Sequence, residues 1–499
     1  MKLTHSKFSE FIKNFEGTLQ YLFHEKEDIN RLSLERGLPP EIWSGIMANA
    51  PLSVAIPEEF GGRGSHVKEC LGLLAAASYE SLPLSLTFGI NIALFLEPLA
   101  KYGNDAVKKE IFDRFLHEQN MGGLMITEPD YGSDALNMKT FYQEVEDGYK
   151  IKGTKHWQGL TGMANYWLIA SRKELESGEL ARDIDFFICD VSQDKQKVVV
   201  EELFDNAGLY MIPYGLNKLD LEVPPNFKLQ PETTGIKMML DILHRSRMQF
   251  PGMGMGFIKR MLDEAINHCR NRVVGVGNLL SIDQVQFSLA RIQTAYTICS
   301  AMCAKSSRIS GIDHNLAVEG LEANSMKAVV TDLMQESAQL LVQLSGANGY
   351  KIGNIGGRGI MDSRPFQIFE GSNEMLYTQI ADIITRLMKK QKQSNLFDFL
   401  REYKLTSDAC LYFKDELNFT INNVLSQRKM VDLGRVLGRI ICVSYVLELQ
   451  ERNFRKDLVD NCISMVKQEI IALISSFHFD NTVMVVEDYS GDSSWMNFV

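Results

Sequence analysis

Apolar residues near the start of the chain recur at helical spacing. Phe8, Phe11, Ile12, Phe15, Leu19 and Leu22 fall on one face of a 3.6-residue repeat, so residues 4–50 read as helices. Gly37-Leu38-Pro39-Pro40 and a turn running from Ile56 to Gly64 punctuate this region. Helical periodicity resumes over about 66–118. Between 120 and 230 it gives way to short runs rich in β-branched and aromatic residues, at 166–171, 183–191 and 197–201. These predict strands of an antiparallel sheet joined by polar turns. Beyond 235 the period is helical again, with amphipathic segments near 237–273, 281–309 and 318–345. A glycine-rich loop at 345–359 interrupts them. Lys389-Lys390-Gln391-Lys392-Gln393-Ser394 reads as a linker, and 396–477 as a further helical block. From Phe479 onward the chain carries four acids and no Lys or Arg, a tail.

The predicted organisation is therefore an N-terminal α-helical domain (1–118), a central β domain (119–232), a helical bundle (233–390), a C-terminal helical extension (396–478) and an acidic tail (479–499). The fold class is α+β. Helices, then strands, then helices is neither a doubly wound sheet nor a repeat array, and no internal repeat is visible.

Composition narrows the function. The chain has 499 residues, with 45% hydrophobic and 23% charged, as in a globular protein of several domains. A net charge of -11 argues against a nucleic-acid surface, which is normally basic. The eight cysteines form no CxxC pair. Cys299 and Cys303 sit one helical turn apart in an apolar stretch, which reads as buried thiols in a reducing compartment. With no apolar leader at the N-terminus, the expected location is cytoplasmic. No uninterrupted apolar run reaches about 18 residues, so no membrane span is expected. No GxGxxG links a strand to a helix, and neither a P-loop nor a metal-ligand spacing is present. No metal is expected.

The most suggestive chemistry lies in Arg364-Pro365-Phe366-Gln367-Ile368-Phe369-Glu370-Gly371-Ser372-Asn373-Glu374-Met375. Glu370 sits between an apolar run and a Gly-Ser turn. Desolvation there would raise its pKa toward that of a useful general base.

Four separated segments give that carboxylate a context. Ile126-Thr127-Glu128-Pro129-Asp130-Tyr131-Gly132-Ser133-Asp134 resembles the TEPxxGSD motif of acyl-CoA dehydrogenases. Gly153-Thr154-Lys155-His156-Trp157, followed by Ala164-Asn165, resembles that family's GxKxW…A[ND] strand pair. Ile56-Pro57-Glu58-Glu59-Phe60-Gly61-Gly62 resembles its VPEEYGG turn, and Ile368-Phe369-Glu370-Gly371-Ser372-Asn373-Glu374 its IYEGTNE motif. The matches keep the family order over 50–385. The resemblance implies an N-terminal helical domain, a central antiparallel β domain and a C-terminal four-helix bundle. It also implies an FAD enzyme that converts a fatty acyl-CoA thioester to its trans-2-enoyl form. A carboxylate takes the α-proton while hydride leaves Cβ for flavin N5.

Carried over position by position, the resemblance makes Glu370 the catalytic base. Some relatives carry the base on a bundle helix instead, and that position is Ser246 here. Ile126, Thr127, Gly132, Ser133, Trp157, Gly346 and Ser372 match cofactor-binding positions. Arg272 and Gln343 match residues that reach the FAD of a neighbouring subunit, implying a homodimer or homotetramer. Arg247, Ser133 and Gly371 match substrate-binding positions. A local ion pair is the competing reading of Arg247, and Arg245 is a nearby rival. The implied partners are acyl-CoA, or an acyl carrier protein, and an electron-transfer flavoprotein or similar acceptor.

Several positions depart from the family. Gly159 replaces a Thr near flavin N5, Gly275 stands where a Phe packs near the adenine, Ala347 replaces a Gly, and Met361 replaces an Arg. Phe369 and the extension beyond 390 resemble the very-long-chain branch. There the extra domain supports dimerisation and membrane association, so peripheral membrane contact through the apolar stretch 433–449 stays open beside a plain packing role. Two further readings share this fold: an acyl-carrier-protein dehydrogenase or acyl-CoA oxidase, and a catalytically degenerate relative kept for binding or assembly.

Overall fold

Helix α1 (Phe8–Gln20) buries Phe11, Phe15 and Leu19, the face its periodicity marks out. In the computed structural model, residues 7–421, 424–480 and 483–499 are described. The N-terminal domain continues with α2 (Ile29–Leu32), α3 (Pro40–Met47), α4 (Val67–Glu80), α5 (Leu82–Asn91), α6 (Glu97–Tyr102) and α7 (Asp105–His117). A π-helical turn at Ile92–Leu96 joins α5 to α6. The resulting rod, Leu82–Tyr102, is long and apolar enough to cross a membrane. Its most apolar window is 94% buried, so it is the core helix of this domain.

The central domain holds β1 (Gly122–Met125), β2 (Phe141–Val145), β3 (Gly148–His156), β4 (Tyr166–Lys173), β5 (Asp185–Asp190), β6 (Val199–Leu203) and β7 (Gly215–Val223). The strands run β1-β4-β2-β3-β7-β6, with β5 also on β4. Four pairings are antiparallel, as expected. The two that join β4 to β1 and to β2 are parallel. Residue alternation is the same for both pairings, so the sequence pattern could not separate them.

The bundle is α8 (Gly235–Asn271), α9 (Asp283–Ile309), α10 (Gly320–Ser345), α11 (Ile355–Ser363) and α12 (Asn373–Lys390). A small hairpin, β8 (Val273–Val274) with β9 (Gly277–Asn278), follows α8. Gly275 makes its turn at φ +59°, a left-handed conformation that glycine adopts without strain. That requirement accounts for a glycine at this departure from the family pattern.

The start of α8 is tied to the sheet domain. Asp183 accepts hydrogen bonds from the N–H groups of Gly235 at 3.0 Å and Ile236 at 2.9 Å, and Thr234 caps Lys237 N at 3.2 Å. These satisfy free donors at the positive end of the longest helix. Asp183→Ala should cost about 1–2 kcal/mol, read as a lower urea midpoint with an unchanged slope.

The extension comprises α13 (Leu396–Glu402), α14 (Lys414–Leu417), α15 (Gln427–Gln450) and α16 (Lys456–His478). Leu433, Val436, Leu437, Ile440, Ile441, Val443 and Val446 of α15 are all buried against the bundle and α16. The apolar stretch proposed for membrane contact is therefore a packing face. Residues 483–499 are largely exposed, including Trp495 and Phe498.

Candidate active site

Two left-handed residues in succession, Glu370 at φ +52° and Gly371 at φ +92°, turn the chain between the 3₁₀ turn Arg364–Gln367 and α12. Gly371 tolerates this readily, whereas Glu370 stores about 1 kcal/mol of strain. The turn aims the Glu370 carboxylate at α8. Its Oε1 accepts from Ser246 Oγ at 2.9 Å. Its Oε2 is enclosed and has no partner. Burial raises its pKa above the ordinary carboxylate value, opposed by Arg247, the Ser246 bond and Lys327. Around it, the N–H groups of Glu370 and Gly371 meet no acceptor among the described residues. One oxygen is thus held, one is free, and two donors are unused beside them.

Arg247 is buried, and its partners settle its role. Nε and Nη2 donate to the Glu370 carbonyl at 3.1 and 2.7 Å, while Nη1 donates to Asn324 Oδ1 at 2.7 Å. It clamps the Glu370 turn rather than making a local helix pair. Pro251, one turn later in α8, lacks the N–H that would otherwise bond the Arg247 carbonyl. Arg245 is no rival. Its guanidinium is engaged with Asp241 and the carbonyls of Ser310, Gly311 and His314.

A second layer lies beneath the loop. Lys327 is fully buried and donates to the Gly371 carbonyl at 2.8 Å and Asn373 Oδ1 at 3.0 Å. Burial draws its pKa down to about 7, although Glu370 opposes that. Asp332 accepts from Gln367 Nε2 and Asn373 Nδ2, each at 2.7 Å, and from Tyr377 OH at 2.7 Å. Sequence reasoning missed Lys327, Asp332, Asn373 and Tyr377 as site residues. The available signal was a lone lysine inside the apolar run Met326-Lys327-Ala328-Val329-Val330.

The proposed flavin residues lie at the open end of the sheet. Ile126 and Thr127 follow β1, and their carbonyls are fixed by Lys155 Nζ at 2.9 Å and His156 N at 3.0 Å. Glu128 is structural: it pairs with buried Lys155 at 2.9 Å and accepts from the N–H groups of Lys139 and Thr140. That pairing locks the loop leading to Gly132 and Ser133, which are exposed; a Cβ on Gly132 would meet nothing within 4 Å.

Trp157 is 52% exposed, with φ +60°, and packs on Phe204 at 4.6 Å and Tyr214 at 6.1 Å between centroids. It is not a buried strand tryptophan. Gln158 Nε2 donates to the Thr127 carbonyl at 3.1 Å, binding together the loops that follow β1 and β3. At Gly159 a Cβ would lie 2.8 Å from Ile90 Cδ1 and 3.4 Å from Tyr214 Cε1. Those neighbours fill the space that a threonine side chain would need.

Leu209 N donates to Asp362 Oδ1 at 2.7 Å, so the loop under Trp157 is tied to the end of α11, just before the base loop. That bond joins the central domain to the bundle on the segment leading to the Glu370 turn. The open loop at Gly132 and Ser133, the half-exposed indole, and the unpartnered carboxylate oxygen and amides fit a planar, polar-edged cofactor. Ser372 stands at the start of α12, two residues after Glu370, with its hydroxyl unused as a cap.

Arg272, Gln343 and Gly346 are elsewhere. Arg272 ends α8, about 37 Å along the helix axis from Arg247, and Gln343 lies near the end of α10, about 24 Å from Lys327. All three are exposed, next to exposed Val273, Val276, Tyr350 and Ile352. They do not join the Glu370 site of their own chain.

Three family models match in chain order: the acyl-CoA dehydrogenase N-terminal domain over 23–119, the middle domain over 123–221 and the C-terminal domain over 233–385. The mouse very long-chain specific acyl-CoA dehydrogenase is 22% identical over 388 residues, 75% of this chain and 57% of that protein. The chain thus spans little more than half the length of such relatives. A Bacillus anthracis acyl-CoA dehydrogenase, solved in complex with FAD, aligns with a TM-score of 0.73 at 18% identity, covering 95% of this chain and 87% of that one. A prolyl acyl carrier protein oxidase aligns at 0.66 and 18% identity, over 76% of this chain and 98% of that one. With the N-terminal, middle and C-terminal domain models all matched in chain order, the chain belongs to the acyl-CoA dehydrogenase family.

Proposed function

We propose that this protein is an FAD-dependent dehydrogenase that converts a fatty acyl-CoA thioester to its trans-2-enoyl form, with Glu370 abstracting the α-proton. The observation that carries this reading is Glu370 itself. One carboxylate oxygen is held by Ser246, the other is unpartnered, and the residue's own N–H is unused. A thioester carbonyl bonded to that amide becomes more acidic at its α-carbon, and the free oxygen can take the proton. FAD, the family's cofactor, supplies the two-electron acceptor when bound. Thr127, Ser133, Trp157 and Ser372 would hold it. Phe369 packs on Phe366 at 5.0 Å and Phe250 at 6.0 Å between centroids, an apolar wall beside the base that suits a medium to long acyl chain.

Arg272, Gln343 and Gly346 contribute to the cofactor site of a second copy, so the working unit is a homo-oligomer. The electron acceptor is an electron-transfer flavoprotein or its equivalent. Eight unpaired cysteines suit the cytoplasm.

The purified protein should be yellow and should bleach on anaerobic addition of acyl-CoAs of increasing length. A flavin-loaded protein that no acyl thioester bleaches would overturn the reading. The likeness to the carrier-protein oxidase supports a second outcome of the same experiment: bleaching only by a carrier-bound thioester, or oxygen uptake without an added acceptor.

A further inference from the structure

Tyr377 is buried on α12, one turn after Asn373. Its hydroxyl fixes Asp332 Oδ2, while Oδ1 of the same carboxylate holds Gln367 and Asn373. Gln367 and Asn373 flank the turn that carries Glu370. Asp332 therefore staples both sides of the base loop, and Tyr377 sets the rotation of the staple.

The C-terminal extension covers Tyr377. Gly434 of α15 approaches so closely that a Cβ would stand 2.0 Å from the Tyr377 carbonyl oxygen. A Cβ on Gly438 would lie 3.5 Å from Tyr377 Cε1 and 3.2 Å from Val329. The Arg435 guanidinium stands 5.7 Å from the ring centroid. Arg439 is buried, bonded to Glu469 of α16 at 2.8 Å, and faces both Tyr377 and Asp332.

We propose that the C-terminal extension positions the catalytic base: α15 fixes Tyr377, Tyr377 fixes Asp332, and Asp332 fixes the 367–373 loop that aims Glu370. This rests on Glu370 being the base. Tyr377, Asp332, Gly434 and Gly438 are positioning residues, acting through the loop and not on substrate. The charged groups facing the two carboxylates are Arg247 on α8, Lys327 on α10 and Arg439 on α15, with Glu374 on α12 facing Lys327. None of them is altered in the variants below, so a change in the pH midpoint reports a change in geometry.

The test compares full-length Tyr377→Phe, Gly438→Val and the double variant with wild type. It measures single-turnover anaerobic bleaching against pH, together with the acyl-CoA Kd and the thermal midpoint. Each single variant should bleach about tenfold more slowly, the cost of misplacing a reacting group by a fraction of an ångström. The pH midpoint should move, the Kd should stay within about twofold, and the double variant should be no slower than the slower single.

A lower thermal midpoint with wild-type rate and pH midpoint would make the extension a packing cap and overturn the proposal. If Gly438→Val fails to fold, Gly438→Ala takes its place, because its Cβ still presses on Val329 and the Tyr377 ring; a wild-type rate and pH midpoint in that variant would overturn the proposal. A Glu370→Gln protein that still bleaches sinks the base assignment itself. A dead Glu370→Gln beside an unaffected Tyr377→Phe sinks only this proposal.

Discussion

Glu370→Gln should keep its flavin and lose bleaching by acyl-CoA by about a thousandfold or more, the contribution expected of a positioned general base. The substitution is nearly isosteric. The amide still accepts from Ser246 Oγ, and the backbone carbonyl still receives Arg247, so the loop holds its shape. What disappears is the basic oxygen. Absorbance at the flavin band, before and after substrate, separates cofactor loss from loss of chemistry.

Ser246→Ala gives the graded companion. The Ser246 bond favours the charged carboxylate, so its loss raises the Glu370 pKa further and moves the acid limb of the rate profile up by about one pH unit. The sign follows from the base being active only when deprotonated: a higher pKa costs rate at the acid end and none at the alkaline end. An acid limb that stays in place in Ser246→Ala would remove the serine from the mechanism.

The fold was legible because each domain announces its own period. Helical spacing in α1, α8, α9 and α10 and β-rich runs at β4, β5 and β6 all appear at the expected positions. The parallel pairings through β4 were not legible, because alternation reports which face is buried and not which way a neighbour runs. Glu370, Ser133 and Trp157 could be singled out as candidates because they stand in local motifs. Lys327, Asp332 and Tyr377 act across 40 or more residues of sequence from Gly371, Asn373 and Asp332 respectively. No local pattern carries such a pairing. Arg247 was found, but its role needed coordinates: three of its donor atoms point at a backbone carbonyl and an asparagine, which only packing decides.

Lys327→Met should move the acid limb of the reaction up by about one to two pH units and lower the plateau rate about ten- to a hundredfold. The two effects have different origins. The lysine ammonium is the buried positive charge that faces Glu370 from α10, and with Arg247 it opposes the rise of the carboxylate pKa. It also holds the Gly371 carbonyl and Asn373 in place. Lys327→Gln separates them, since an amide can still donate to the carbonyl but carries no charge. The glutamine variant should share the pH shift and keep more of the plateau. Because burial brings the Lys327 pKa to about 7, its charge is present below that pH and fades above it. The charge therefore matters on the acid side, where it keeps Glu370 ionised. On the alkaline side the solution does so unaided. Lys327→Gln should fall well behind wild type at pH 6 and approach it near pH 8.5, whereas Lys327→Met should remain slow at both. A glutamine variant that matches wild type at every pH beside a methionine variant that stays slow would show that Lys327 acts only as a hydrogen-bond donor.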